Sequence, residues 1–167
     1  MNPMTSTLSA ERLKQVLSYD EVTGVFRWRV SPSSRVRAGD VAGGRKGGYI
    51  VIRIDGTKHY AHRLAWLYTH GSLPIAEIDH INGDHGDNRL INLRDVSPQV
   101  NKQNIRVSRH HSKTGVLGVF PCKRTGKFIA AIGVDGRQVW IGKFPTAERA
   151  HEAYVTAKRE AHQGSTL

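Results

Sequence analysis

The stretch Ile78-Asp79-His80-Ile81-Asn82-Gly83, followed by Asp87-Asn88-Arg89-Leu90-Ile91-Asn92-Leu93 and then Asn101, constrains this chain most. An acid and an amide oxygen can hold a cation, an imidazole can activate water, and another amide can orient it. Together these groups suffice to build a one-metal phosphodiesterase site. Each residue also has a plainer use: His80 as a packed imidazole, Asn88 and Asn92 as turn or cap residues, Asp84 and Asp87 as surface acids. An EF-hand reading fails, because placing Gly83 or Gly86 at the sixth position of the loop puts an isoleucine first. If Ile78–Ile81 is a strand, Asp79 and His80 point to opposite faces and cannot both bind one metal without a kink.

In order and spacing these residues resemble the HNH nuclease family, in the variant of phage and homing endonucleases whose last His is Asn. The resemblance implies a ββα-metal module in which Asp79 and Asn101 are metal ligands and His80 is the general base. Asn92, in the second strand, would hold the loop between the strands and orient His80. Asn101 would open the short helix. Arg89 becomes a candidate phosphate contact, with a solvated loop arginine as the alternative. Two hard oxygen ligands suit Mg²⁺, with Mn²⁺ or another divalent cation as substitute. His62-Arg63-Leu64 also matches a recurrent phage HNH pattern, and the sequence leaves His62 either beside the site or in the core. The likeness covers most of residues 20–104.

Lys and Arg number 25 against 14 acids, a formal net charge of +11 in 167 residues. Residues 1–104 carry 14 basic and 10 acidic residues, and residues 105–167 carry 11 and 4. This excess points to a polyanion, double-stranded DNA above all, since Lys and Arg neutralise phosphates. The single cysteine, Cys122, excludes a disulfide framework and a Cys-based zinc site. No apolar stretch approaches membrane-spanning length and Met1–Ser9 is polar, so the expected setting is cytoplasmic, without membrane contact.

Along the chain, residues 8–18 read as a helix capped by Ser9, with a Leu8–Leu13 staple. Val25–Val30 reads as a half-buried strand. Ser31–Gly48 reads as a polar loop or an arm following a phosphate backbone. Tyr49–Ile54 and Lys58–Tyr60 form a hairpin around Asp55-Gly56, and Ala61–His70 is a helix stopped by Gly71. Beyond a polar stretch at 107–113, Val116–Phe120, Phe128–Val134 and Val139–Phe144 read as strands. A helix capped by Thr146 follows, with a stripe of Ala147, Ala150, Tyr154, Ala157 and Ala161.

Gly118-Val119-Phe120, Gly126-Lys127-Phe128-Ile129-Ala130-Ala131-Ile132, Val139-Trp140-Ile141-Gly142-Lys143-Phe144 and Thr146-Ala147-Glu148 are similar to the plant Apetala/ethylene-response-factor DNA-binding domain. That likeness implies a three-stranded antiparallel sheet on one helix, with the sheet in the major groove. Leu117, Phe120, Cys122, Ala131, Gly133 and Gln138 depart from that family's contact positions, so its base preference does not transfer. The groups able to contact DNA are Lys123, Arg124, Lys127, Arg137, Gln138, Trp140 and Lys143. Trp140 has a place in the core as its alternative.

The expected fold class is α+β. The expected division is 1–60, an N-terminal helix and strand extension; 61–106, the ββα-metal nuclease module; 107–113, a linker; and 114–163, the DNA-binding domain. The expected function is metal-dependent DNA cleavage. Its rivals are an inactive DNA-binding regulator on a nuclease scaffold, a packaging accessory held by charge, and a structural metal site. One metal cuts one strand per visit, so double-strand cutting would require a homodimer or two events.

Overall fold

Ser9 accepts a hydrogen bond from the Arg12 amide and starts α1, Ala10–Val16, whose Leu13 and Val16 enter the core. The computed structural model describes residues 8–108, 110–162 and 164–167, and the chain is α+β. The first seven residues, Arg109 of the expected linker and Gln163 of the expected C-terminal domain lie outside this description. The helix stops two residues earlier than the 8–18 expected. Leu17–Asp20 instead forms β1, which pairs antiparallel with β2, Val25–Trp28. Pairing Tyr19 with Phe26 stacks their rings at 4.7 Å, a contact that a helix continuing through Tyr19 would forgo. Leu8 packs against the same core cluster as Leu13.

A three-stranded antiparallel sheet follows, made of β3 (Gly44–Lys46), β4 (Tyr49–Ile54) and β5 (Thr57–Tyr60), in that order. Part of the expected polar loop is therefore ordered: Gly44–Lys46 pairs with Tyr49–Val51, and Val41 bridges Arg27. Asp55 and Gly56 both take positive φ, 47° and 80°, as the tight β4–β5 turn requires. α2, Ala61–His70, ends at Gly71 (φ 75°). Ile52 and Ile54 of β4 and Leu64 and Leu67 of α2 share the core cluster with α1.

β6 (Glu77–His80) and β7 (Leu93–Val96) then pair antiparallel, and α3 spans Pro98–Gln103. Two expectations change here. Asn92 ends a single 3₁₀ turn, Leu90–Asn92, and does not sit in the second strand. Asn101 does not open α3, because Ser97 caps it and Pro98 takes the first helical position.

The last part consists of β8 (Val119–Cys122), β9 (Lys127–Val134), β10 (Arg137–Phe144) and α4 (Ala147–Ala161). The sheet order is β10–β9–β8, all antiparallel, with positive φ at Asp135 and Gly136 in the β9–β10 turn. The first strand starts later than the Val116 expected. Ala130, Ile132, Val119, Ala150 and Tyr154 form the core between sheet and helix, and Thr146 caps α4. Lys158 is buried on the helix where a stripe of small residues was expected, and Ala161 is exposed.

The chain divides into two compact units, residues 1–96 and 97–167. This differs from the expected boundaries at 61–106 and 107–113. Within the second unit, Lys158 Nζ donates to the Ile105 carbonyl and the Gly164 amide donates to Gln103 Oε1 at 3.0 Å. These contacts tie α3 and the residues after it to the C-terminal element.

Candidate active site

β6 brings Ile78, Asp79 and His80 under cover together. Its register with β7 sets Asp79 opposite Arg94 and His80 opposite Leu93. Paired strand positions share a face, so the Arg94 guanidinium reaches the buried carboxylate. Nε and Nη2 of Arg94 both donate to Asp79 Oδ2, at 2.9 and 2.7 Å.

The loop from Ile81 to Asn92 holds itself through its polar side chains. Asn92 Oδ1 accepts from the Asn82 amide and its Nδ2 donates to the Asp87 carbonyl, both at 2.9 Å. Asn92 thus joins the two ends of the loop. Asn82 Nδ2 donates to Asp87 Oδ2 at 2.7 Å, and Asp84 Oδ1 accepts from the Gly86 amide. Arg89 forks onto Asp87, with Nε on Oδ1 at 2.8 Å and Nη2 on Oδ2 at 2.6 Å. That guanidinium holds the Asp87 carboxyl down at about 2. Arg89 is exposed but already paired, so a phosphate would compete with Asp87 for it.

His80 Nε2 lies 3.4 Å from Asn88 Oδ1, a long hydrogen bond. Asn88 Nδ2 donates to the Gly86 carbonyl, which fixes the amide oxygen toward the imidazole. An amide oxygen only accepts, so this contact calls for the ring proton on Nε2. Burial pushes the His80 pKa below 6.5, partly opposed by the Asn88 bond, so the ring is mainly neutral at pH 7.

Asn88 is held in turn by the N-terminal hairpin. Tyr19 Oη donates to the Asn88 carbonyl at 2.6 Å. Gly24, at φ 73°, presses against the Asn88–Arg89 peptide, where an added Cβ would sit 2.5 Å from the Arg89 nitrogen. Only glycine admits this approach. The β1–β2 hairpin thus buttresses the residue that touches His80.

Rings surround His80. His62, buried on α2, meets it edge-on at 5.1 Å, Tyr49 lies at 6.1 Å and His85 at 5.5 Å. Burial, followed by the neighbouring charges of His80, Arg63 and His85, lowers the His62 pKa to about 3. Its Nδ1 has no hydrogen-bond partner among the described residues. The sequence had left the place of His62 open, and the structure sets it beside the site.

The structure brings Asp79, His80, Asn88, Asn92 and Arg89 onto one hairpin of the first unit, while Asn101 belongs to α3 of the second. Sequence reasoning missed the Asn88 contact with His80 and the Arg94 pairing with Asp79. Only strand register could have shown the latter, and nothing local marks the former. Lys123, Arg124, Lys127, Gln138, Trp140 and Lys143 are exposed, as is Arg137. Trp140 is 63% exposed and so is not a core residue. By register Lys127, Lys143, Trp140 and Gln138 share the face of the sheet turned from α4. Arg137 pairs with Val134 at the opposite face.

Among the described residues no group of three or more His, Cys, Asp and Glu side chains could hold a metal.

Residues 59–103, from His59 in β5 to the end of α3, match the family model of HNH endonucleases. The match supports an HNH nuclease acting on DNA, and it contains the β6–β7 hairpin with its Asp79-His80 pair. No curated protein and no solved structure matches the chain. No helix among the described residues is long and apolar enough to cross a membrane.

Proposed function

We propose that this protein is a divalent-metal-dependent DNA endonuclease of the phage and homing type, with His80 as general base. The observation that carries the reading is the buried Asp79-His80 pair with His80 Nε2 on Asn88 Oδ1, inside the stretch matching the HNH model. Neutral His80 takes a proton from the attacking water, and its contact with the Asn88 amide oxygen orients the imidazole. Asn92 maintains the loop that carries Asn88. Asp79 and Asn101 would hold one cation, Mg²⁺ by ligand type, which supplies positive charge against the phosphate and the leaving oxygen. Arg94 balances the Asp79 carboxylate within the buried hairpin. Arg89 passes from Asp87 to a DNA phosphate.

In this reading residues 114–163 form an Apetala/ethylene-response-factor-like module that positions the enzyme on duplex DNA. Lys127, Gln138, Trp140 and Lys143 lie on its outer face, and Lys123, Arg124 and Arg137 sit at its ends. Incubation with supercoiled plasmid in Mg²⁺ or EDTA tests the proposal. Nicked or linear product in Mg²⁺ alone, absent with His80→Ala, is the expected result. No cleavage in any divalent cation would leave the DNA-binding regulator.

A further inference from the structure

The β3–β4–β5 sheet has two unlike faces. Ile52 and Ile54 point into the core and are 0% and 2% exposed. On the opposite face the register places Lys46 beside Tyr49, Val51 beside Tyr60, and Arg53 beside Lys58. Paired residues of an antiparallel sheet project to the same side, so these six form one continuous surface. It carries three cations, two tyrosines and no acid. Asp55, in the adjoining β4–β5 turn, is engaged by Arg12 Nε and Nη2 at 2.9 and 2.8 Å.

An ordinary solvated sheet face mixes charges of both signs and keeps few large rings. Here Tyr60 stays 49% exposed and its ring meets Tyr49 at 5.3 Å. The surface also leads into the candidate active site. Tyr49 stacks on His85 at 4.3 Å with ring planes 5° apart, and the same ring lies 6.1 Å from His80. Any polyanion presented to His80 therefore meets this face next.

We propose that the outer face of the β3–β4–β5 sheet is a second DNA-binding surface, holding the duplex adjoining the bond presented to His80. The proposal rests on the nuclease reading of that site. The positive charge of Lys46, Arg53 and Lys58 complements phosphates, and a twisted antiparallel sheet fits the major groove. The tyrosines add stacking and apolar contact to sugars and bases.

The test is equilibrium binding of full-length His80→Ala protein to a labelled duplex in EDTA, across a salt series, with and without Arg53→Gln and Lys58→Gln. Both side chains are exposed, so the fold should survive, and a circular dichroism melt checks it. The neutralised variant should bind more weakly, and its log–log salt slope should be shallower by roughly 0.9 per lost phosphate contact. The charge-conserving pair Arg53→Lys and Lys58→Arg should restore most of the affinity. Unchanged affinity and slope on neutralisation would overturn the proposal, as would an equal loss in the charge-conserving variant. The two readings fail separately. Plasmid cleavage lost with His80→Ala but binding unaffected at residues 53 and 58 removes this surface alone. Weakened binding without cleavage by the unaltered protein removes the nuclease reading and keeps the surface.

Discussion

Arg94 sits directly opposite Asp79 across the β6–β7 pair and gives both Nε and Nη2 to a single carboxylate oxygen, Oδ2. The acid proposed to hold a cation is thus already balanced by a fixed positive charge. Replacing Arg94 by Gln should lower stability by about 2 kcal/mol, because the buried carboxylate loses its charged donors. A cation bound at Asp79 would replace part of that charge. Mn²⁺ should therefore raise the melting temperature of Arg94→Gln more than that of the unaltered protein, and should do little for Asp79→Ala. Identical metal-induced shifts in all three proteins would argue against Asp79 as a ligand.

His80→Ala should cost roughly 10²–10⁴ in cleavage rate while leaving duplex affinity nearly unchanged, as expected for loss of a general base. Asn88→Ala should cost up to about tenfold, the scale of one hydrogen bond. Its effect should fall on the rate of a saturated reaction rather than on KM, since Asn88 acts through the imidazole. Single-turnover cleavage separates the two. A wild-type rate for Asn88→Ala would remove it from the mechanism.

Stability should depend on pH through the buried and half-buried imidazoles. His62, His80 and His59 all have folded pKa values below 6.5, chiefly from burial. Their contribution is fully present above about pH 6.5, where both states are neutral, and is lost as pH falls toward the folded value, about 3 for His62. Each such group adds up to about 1.4 kcal/mol per pH unit in that window. Asp87 loses its contribution only below its ordinary value of 3.8 and does not interfere above it. His62→Phe, which also removes an unpartnered buried nitrogen, should flatten the profile between pH 6.5 and 4.5 in urea titrations. An unchanged slope would show that His62 is protonated without penalty.

Removing everything after His111 should do more than weaken DNA binding. Residues 97–106 share a unit with the C-terminal element, through Lys158 to Ile105 and Gly164 to Gln103. The truncated chain should lose helical signal from α3 and, with Asn101 unsupported, metal affinity measured by Mn²⁺ calorimetry. Neutralising Lys127 and Lys143 in the intact chain should lower affinity for DNA and leave that metal affinity alone. Full metal affinity in the truncated protein would show that α3 stands without the C-terminal element.

Local chemistry made much of this protein legible in the sequence. Ala61–His70 and its Gly71 stop, the Asp55-Gly56 and Asp135-Gly136 turns, and the Ser9 and Thr146 caps are set by short-range sterics and hydrogen bonds. Asp79, His80 and Asn92 stood out in the sequence only as side-chain types at fixed spacing. Register and distant packing decided the rest. Leu17–Tyr19 became a strand because Phe26 and Trp28 were there to pair with it. Arg94 became the partner of Asp79 only through the antiparallel register. Asn88 reached His80 because Tyr19 and Gly24, more than sixty residues earlier, hold its peptide in place. The cationic face of Lys46, Arg53 and Lys58 exists only once three strands align. Such relations join residues far apart in the chain, and no local spacing encodes them.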